Sequence, residues 1–289
     1  MYFRQWLCLT MRIKSDRLVS NQGDKTISII IPTPDTSDIR YKTAAAALRE
    51  AADEVTGYDI YLTAVEDSGA DFRYSRSVNR GIEEIHSDYY LNINDDVIVN
   101  RDTLIESIKL SERDPRTGII GSILYYSDGE IQHAGMYVVK APSLEYFWKM
   151  ITYYQAPFDS VRKIMNYKAE GIFPFLLFMN SHTIGKPKHG LLTAAYHFIR
   201  GEVIDRITGY DENYRMGMED MDFCLEVIRS GYHLSISRNI KAEHKETSHG
   251  INYSKQFGRE TTKYFYSKWD VQQVLDLIDK NGMLYRFEG

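Results

Sequence analysis

The chain is poor in cysteine, has no excess of basic residues and lacks long apolar runs. Its 289 residues include only two cysteines, too few for a disulfide framework or a cysteine zinc site. Acidic residues outnumber basic ones by 40 to 35, and the net charge is -5, so no nucleic-acid partner is expected. No stretch reaches the ~20 apolar residues of a membrane span. These features predict a cytoplasmic globular protein, with peripheral membrane contact through residues 1–9 as an alternative.

Two motifs of common enzyme classes are also missing. The first predicted strand is followed by Pro32-Thr33-Pro34-Asp35 and not by a glycine-rich phosphate loop, which disfavours a nucleotidyltransferase. No serine or cysteine nucleophile motif is visible.

What the chain does contain is an alternation of strand and helix patterns at short intervals. Residues 27–31 are a β-branched run typical of a strand buried on both faces, and residues 41–55 carry an alanine-rich helix face. Further strands are predicted at 59–65, 89–93, 117–124, 192–199 and 233–236, with helices at 75–85, 103–111, 220–230 and 269–280. Asp128-Gly129 predicts a hairpin turn. This order predicts an α/β fold, a doubly wound, mostly parallel sheet with a smaller C-terminal region.

Polar or acidic side chains follow three of the predicted strands. They are Thr33 and Asp35 after the first, Glu66 and Asp67 after the second, and Asn94, Asp95 and Asp96 after the third. In doubly wound sheets, ligands bind beyond the carboxyl ends of the strands. A divalent cation carrying a phosphorylated ligand would satisfy carboxylates at such an edge, whereas a polar turn that closes a strand is the simpler alternative.

Two later segments add ionisable groups. Glu219, Asp220 and Asp222 open a predicted helix, where capping alone favours acids. Three acids exceed what a cap needs, although helical geometry turns Asp222 away from Glu219. A carboxylate at this point can remove a proton from a substrate hydroxyl. His244 follows a predicted strand and is either a surface residue or an imidazole ligand beside a carboxylate-bound metal.

Several motifs, in this order and spacing, resemble glycosyltransferase family 2 of the GT-A fold, in particular its rhamnosyltransferase-like members. The resemblance covers residues 27 to about 269. The matching segments are SIIIPT at 28–33, SVNRGI at 77–82, LNINDDV at 91–97, DGEIQHAG at 128–135, GYDE at 209–212, MEDMDFC at 218–224 and KW at 268–269.

This resemblance implies a metal-dependent inverting glycosyltransferase. Such an enzyme moves a sugar from a nucleoside-diphosphate sugar to a hydroxyl of a glycan, lipid-linked or protein acceptor. The resemblance implies that Asp96 and His244 bind Mn²⁺ or Mg²⁺. It also implies that Asp220 is the catalytic base, with Glu219 beside it on the acceptor side. The implied nucleotide-sugar site contains Thr33, Asp35, Asn79, Arg80, Asn94 and Asp95, with either Glu66 or Asp67 as the acid that contacts the base.

Two positions depart from the family pattern. Asn94 stands where the first acid of the metal motif is usual, and Glu66 stands where an aspartate is usual. These departures motivate an alternative function, a non-catalytic module that binds sugar nucleotides or glycans.

The predicted organisation is an N-terminal extension at 1–26, a GT-A domain at 27–269 and a C-terminal amphipathic helix at 270–289. The domain divides into a nucleotide-sugar half at 27–124 and an acceptor half at 125–269. An aromatic insertion at 142–190 interrupts the acceptor half. It is predicted to pack a local core, to form an acceptor platform or lid, or to contact a membrane or lipid-linked acceptor.

Overall fold

The computed structural model describes residues 11–20, 23–68, 72–141, 175–186, 188–245 and 260–287. The strands are β1 (Met11–Ser20), β2 (Lys25–Thr33), β3 (Tyr58–Asp67), β4 (Tyr89–Ile93), β5 (Val97–Val99), β6 (Thr117–Tyr125), β7 (Ile131–His133), β8 (Met136–Ala141), β9 (Phe175–Asn180), β10 (Tyr196–Arg200) and β11 (His233–His244). The helices are α1 (Ile39–Asp53), α2 (Tyr74–Glu84), α3 (Arg101–Arg113), α4 (Gly201–Ile207), α5 (Glu219–Arg229), α6 (260–268) and α7 (Val271–Asn281). No helix in these residues is long and apolar enough to span a membrane.

One large sheet organises the molecule, in the strand order β1-β3-β2-β4-β10-β6-β11-β5, with β7 paired to β6. β2 lies parallel to both β3 and β4, and β6 lies parallel to β11. The carboxyl ends of β2, β3 and β4 therefore meet at one edge. β10 runs antiparallel between β4 and β6, so the turn that precedes β10 lies at that same edge. The predicted α/β fold is confirmed.

Strand β2 is buried on both faces, as its β-branched run predicts. Ile29 and Ile31 pack on one side with the alanines of α1, whereas Ile30 packs on the other side with Val78 of α2. All three isoleucines are fully buried, and each such side chain contributes about 2 kcal/mol of hydrophobic stabilisation. α2 approaches closely because Gly81 has no side chain: a Cβ there would lie 2.4 Å from Ile30 Cγ2. This packing fixes the two helices that flank the site edge.

The second half contains the predicted hairpin and a separate ribbon. β6 and β7 pair antiparallel, and Gly129 turns the chain between them with φ +89°. β8 and β9 form their own two-stranded sheet, which begins its pairing at Met136 with Asn180 and ends at Ala141 with Phe175. Residues 142–174, which hold most of the predicted aromatic insertion, lie outside the described residues.

The structure differs from the sequence predictions at two places near the site. β1 occupies part of the predicted N-terminal extension and pairs antiparallel with β3 along its length. Only one of its ten side chains, Val19, is buried, and the strand shows no apolar alternation. The strand predicted at 192–199 is also wrong in its first residues: 193–195 form a turn, and the strand begins at Tyr196. Buried Leu192 and the two buried alanines of the turn, Ala194 and Ala195, imitate a strand pattern.

Candidate active site

The Asn94-Asp95-Asp96 segment forms the turn between β4 and β5 at the carboxyl edge of the sheet. Asn94 N–H donates to the carbonyl of Ala195 over 3.2 Å, and Val97 N–H donates to the carbonyl of Asn94 over 3.2 Å. The first bond ties this turn to the turn at 193–195, and the second closes it on itself. Asp96 is buried, whereas Asn94 and Asp95 are half-buried. The segment thus presents polar side chains at a partly enclosed edge.

His244 lies directly beside Asp96. Its Nε2 is 3.2 Å from Asp96 Oδ1, and its Nδ1 is 2.6 Å from Oε1 of Gln132. Backbone pairing causes this approach, because His244 pairs with Val97 across β11 and β5. If Nδ1 donates to Gln132, the Nε2 lone pair of a neutral ring faces the carboxylate, an arrangement that a shared proton or cation stabilises. The structure therefore brings these two predicted residues together.

Asp95 contacts the end of β2. Its Oδ2 accepts a 2.7 Å hydrogen bond from the hydroxyl of Thr33. Burial raises the pKa of Asp95, and the Thr33 hydrogen bond and the nearby Arg40 guanidinium oppose that rise. The third and first strand ends are thus joined side chain to side chain, as the parallel arrangement predicts.

The loop after β2 is held to the end of β3 by Glu66. Its Oε2 accepts from the N–H of Thr36 over 3.1 Å and from the Thr36 hydroxyl over 2.8 Å. These hydrogen bonds lower the pKa of Glu66. Asp35, in the same loop, accepts from both the N–H and the hydroxyl of Ser37, which lowers the pKa of Asp35. Glu66 therefore shapes a loop lined with ionised carboxylates.

Asp67, the other candidate acid at this strand end, is buried. Its Oδ2 lies 3.2 Å from Nη2 of Arg76 and 3.2 Å from the hydroxyl of Ser77. Both partners belong to α2, so Asp67 anchors that helix to β3. Of the two acids that the resemblance offers for the nucleotide base, Glu66 has the more exposed side chain.

The acidic start of α5 lies at the same edge. Glycine at 217 and Met218 both have positive φ, at +85° and +68°, and this tight bend starts the helix at Glu219. Burial and the charge of Asp220 raise the pKa of Glu219. Burial also raises the pKa of Asp220, against hydrogen bonds from backbone N–H groups and from a threonine hydroxyl. Two adjacent, poorly solvated carboxyl groups with raised pKa values are a combination that is frequent at functional sites.

Asp222, the third acid of this segment, belongs to a different cluster. It is buried and accepts from the Tyr214 hydroxyl over 3.0 Å and from the Trp269 indole over 2.6 Å. Lys268 Nζ lies 2.9 Å from Asp222 Oδ2 and 3.1 Å from Asp211 Oδ2. The predicted divergence of Asp222 from Glu219 thus has a structural reason: Asp222 holds α6 and the following residue, Trp269, to α5.

Asn79 and Arg80, the two predicted site residues of α2, have different partners. The Asn79 amide donates to the carbonyl of Tyr210 over 2.8 Å and to Glu212 Oε1 over 3.0 Å, and its Oδ1 accepts from the N–H of Tyr210 over 2.8 Å. Arg80 is exposed and pairs with Glu83 on the surface of α2. Asn79 therefore holds the 209–212 segment to α2, and the sugar-nucleotide contacts implied for Asn79 and Arg80 stay a prediction.

Sequence reasoning missed two residues that connect the site. The Tyr74 hydroxyl lies 3.1 Å from Asn94 Oδ1 and 3.0 Å from the carbonyl of Ala194. The Thr193 hydroxyl and the Ala194 N–H both donate to the Asp220 carboxylate. Because every residue has a backbone carbonyl, a hydrogen bond to one cannot be predicted from a pattern of residue types. One usable signal was that Tyr74 begins the helix that follows the acidic end of β3.

No grouping of three or more His, Cys, Asp or Glu side chains suited to a metal ion occurs among the described residues. The Asp96 and His244 pair supplies one carboxylate and one imidazole, donor types that Mn²⁺ accepts. The donor chemistry fits a divalent ion that completes its coordination with ligand oxygens and water.

The known proteins to which the chain is similar share little sequence identity with it. No protein-family model matches the chain. The chain is 26% identical to an uncharacterized protein of Sinorhizobium fredii, y4gI, over 73% of this chain and 23% of that protein. It thus spans about a quarter of the length of the curated relative that it matches.

Among solved structures, the chain is similar to the mannosyltransferase PcManGT from Pyrobaculum calidifontis in complex with GDP-Man and Mn²⁺. The TM-score is 0.51 at 11% identity, covering 88% of this chain and 68% of that one. Similarity also extends to S. aureus TarS, with TM-score 0.48, 10% identity and coverage of 79% and 38%. For the catalytic domain of Drosophila beta1,4galactosyltransferase 7 in complex with xylobiose, the values are 0.43, 13%, 78% and 72%. The first of these likenesses shows the fold, so the chain has a GT-A-like glycosyltransferase fold.

Proposed function

We propose that the chain transfers a sugar, with inversion, from a nucleoside-diphosphate sugar to an acceptor hydroxyl. The observation that carries this proposal is the 3.2 Å approach of Asp96 and His244 at the ligand-binding edge of a GT-A-like sheet. Asp220 lies at the same edge, linked through the 193–195 turn. The mannosyltransferase of the same fold, which was solved with GDP-Man and Mn²⁺, supports this choice of donor class and ion.

Asp96 and His244 would hold the divalent ion, Mn²⁺ or Mg²⁺. When bound, the ion supplies Lewis-acid stabilisation for the negative charge of the leaving diphosphate. Asp95 is not included as a ligand, because its carboxylate is bonded to Thr33. That bond instead gives the end of β2 a fixed position beside the ion-binding pair.

The nucleotide is proposed to lie along the ends of β2 and β3. Thr33, Asp35 and Glu66 line this part of the edge, and Glu66 is favoured over the buried Asp67 as the acid that reads N–H donors of the base. Its bonds to Thr36 hold the carboxylate in one orientation, as selective recognition requires.

Asp220 is proposed as the general base. Its carboxylate takes the proton of the acceptor hydroxyl while the acceptor oxygen forms a bond to the anomeric carbon. The bond between that carbon and the diphosphate oxygen breaks in the same step, so attack from the opposite face inverts the centre. Burial raises the pKa of Asp220, which makes it a stronger base than a solvated aspartate. Glu219 lies beside it, toward the acceptor.

The test is a panel of nucleoside-diphosphate sugars incubated with the protein and Mn²⁺, with released nucleoside diphosphate as the readout. We expect at least one donor to turn over. Asp220→Asn is expected to lower kcat by roughly 10²- to 10⁴-fold and to retain donor binding by calorimetry. Asp205→Asn, at an exposed aspartate of α4, is the matched control. Normal turnover by Asp220→Asn contradicts the base assignment, and donor binding without any turnover by the unmodified protein supports a binding module instead.

A further inference from the structure

The base and the ion-binding pair sit on separate elements that are joined through the turn at 193–195. On one side of this turn, the Thr193 hydroxyl and the Ala194 N–H donate to the Asp220 carboxylate. On the other side, the carbonyl of Ala195 accepts from Asn94 N–H over 3.2 Å. The turn therefore contacts both halves of the proposed reaction centre.

The Tyr74 hydroxyl adds a side-chain link between this turn and the Asn94-Asp95-Asp96 turn. The Tyr74 hydroxyl is 3.0 Å from the Ala194 carbonyl and 3.1 Å from Asn94 Oδ1, and it accepts a 2.9 Å hydrogen bond from Asn92 Nδ2. Asn92 is fully buried and also donates to the Ala194 carbonyl over 3.2 Å. The single hydroxyl proton thus lies between two acceptors, the Ala194 carbonyl and Asn94 Oδ1, while one lone pair accepts from Asn92 of β4.

We propose that Tyr74 is a positioning residue that sets the general base Asp220 relative to the donor site. It acts through the 193–195 turn, and Thr193 is the second member of the same device. This inference rests on the proposed function, because it assigns the geometry of that reaction to two residues outside the catalytic set. It also assigns a role to Asn94. The amide oxygen of Asn94 accepts from the Tyr74 hydroxyl, a contact that binding an ion would not require.

The physical basis is the sensitivity of group transfer to small displacements. A shift of about 1 Å in a reacting group can cost roughly 100-fold in rate. Without the Tyr74 hydroxyl, the turn keeps its bonds from Asn92 and Asn94 but loses the one that crosses between α2 and the site. Asp220 then follows the Ala194 N–H away from the acceptor, while the donor ligands stay in place.

Tyr74→Phe tests this directly, because it removes one oxygen and leaves the ring. We expect kcat to fall by roughly 10- to 100-fold, with the KM for donor unchanged within about twofold. Thr193→Val is expected to give the same split between kcat and KM, and Thr193→Ser, which retains the hydroxyl, to restore most of the activity. Tyr196→Phe is the control, since the buried Tyr196 hydroxyl is hydrogen-bonded to Ser107 of α3. This variant is expected to leave kcat unchanged.

A second readout works without turnover: the carboxyl titration of Asp220, followed by NMR. The ionisable groups around Asp220 are Glu219, Cys224, Tyr74 and Tyr210. Loss of the turn's hydrogen bonds is expected to move the Asp220 titration to higher pH in Tyr74→Phe and Thr193→Val but not in Tyr196→Phe.

The outcomes separate the two proposals. If the unmodified protein transfers no sugar, the proposed function fails, and the Asp220 titration alone decides whether the turn positions that carboxylate. Unchanged kcat and an unchanged titration in both variants overturn the inference while leaving the function standing. An equal loss in Tyr196→Phe overturns it as well, since the effect is then general to the core. Should Tyr74→Phe fail to fold, the Thr193→Val and Thr193→Ser pair provides the same decision.

Discussion

Asp96 Oδ1 and His244 Nε2 lie 3.2 Å apart, although the two residues belong to strands that are distant in the sequence. The pairing of β11 with β5 creates this contact, because it sets His244 opposite Val97 and lets Lys245 N–H donate to the Asp96 carbonyl over 3.0 Å. The proposed ion-binding pair therefore forms only when β11 pairs with β5 at the end of the sheet. Folding and ligand binding are expected to be linked at this point.

The first prediction concerns this pair. A nucleoside diphosphate with Mn²⁺ is expected to raise the melting temperature of the protein, since a ligand at 100 times its Kd adds about 2.7 kcal/mol. Asp96→Ala and His244→Ala are each expected to remove most of this joint stabilisation. Differential scanning fluorimetry, with metal and nucleotide added singly and together, measures it.

His182→Ala is the matched control for the histidine, because His182 is exposed and its Nδ1 lies against the carbonyl of Ile131. It is expected to retain the full joint shift. A joint shift of undiminished size in both Asp96→Ala and His244→Ala contradicts the proposed ion site.

The strand ends of the site were accessible to sequence reasoning because they follow periodic patterns. The β-branched run of β2 predicts a strand buried on both faces, and parallel pairing of such strands places their polar ends at one edge. Thr33 and Asp95 meet there over 2.7 Å. Chain periodicity and sheet topology are sufficient for that conclusion.

The hydrogen bonds that connect the separate parts of the site could not be predicted from the sequence in the same way. Tyr74 reaches the carbonyl of Ala194, and any residue type offers a carbonyl. The turn at 193–195 belongs to an apolar run whose pattern predicts a strand. Asn79, in contrast, carries a motif signal, but its amide is bonded to Tyr210 and Glu212. A motif match locates a residue in the chain without showing which partner its side chain selects.

The second prediction concerns the buried carboxyl of Glu219. Burial and the neighbouring Asp220 raise its folded-state pKa above the ordinary value of 4.5. Below pH 4.5 the carboxyl is protonated in both folded and unfolded states, and its contribution to stability is complete. As pH rises toward the raised pKa, the unfolded state ionises freely while the folded state resists, so stability is lost. Each pKa unit of upward shift corresponds to about 1.4 kcal/mol.

Glu219→Gln removes this titration. The free energy of unfolding of Glu219→Gln, relative to that of the unmodified protein, is therefore expected to increase between pH 5 and pH 8, as measured by urea denaturation. Glu84→Gln, at an exposed position of α2, is expected to show no such trend. A relative stability of Glu219→Gln that is flat or falls with pH contradicts the assignment of a poorly solvated carboxyl at this site.

The third prediction concerns the fastening of α6 to α5. Lys268 Nζ lies within 2.9 to 3.2 Å of Asp222, Asp211 and Glu226, and Asp222 is only 1% exposed. Lys268→Met leaves Asp222 charged and buried without its cation, and breaking such a pair costs about 3 kcal/mol. Equilibrium unfolding in urea measures this loss.

The loss of stability in Lys268→Met is expected to come from the buried, unpaired charge of Asp222 and not from lost packing. Adding Asp222→Asn to Lys268→Met is therefore expected to recover part of the stability, because the neutral amide still accepts from Tyr214 and Trp269. Lys109→Met breaks an exposed pair with Glu106 and is expected to change the unfolding free energy by less than about 0.5 kcal/mol. If Lys268→Met is as mild as Lys109→Met, or if the second substitution only adds to the loss, then the cluster is not the charge-dependent clamp inferred from its geometry.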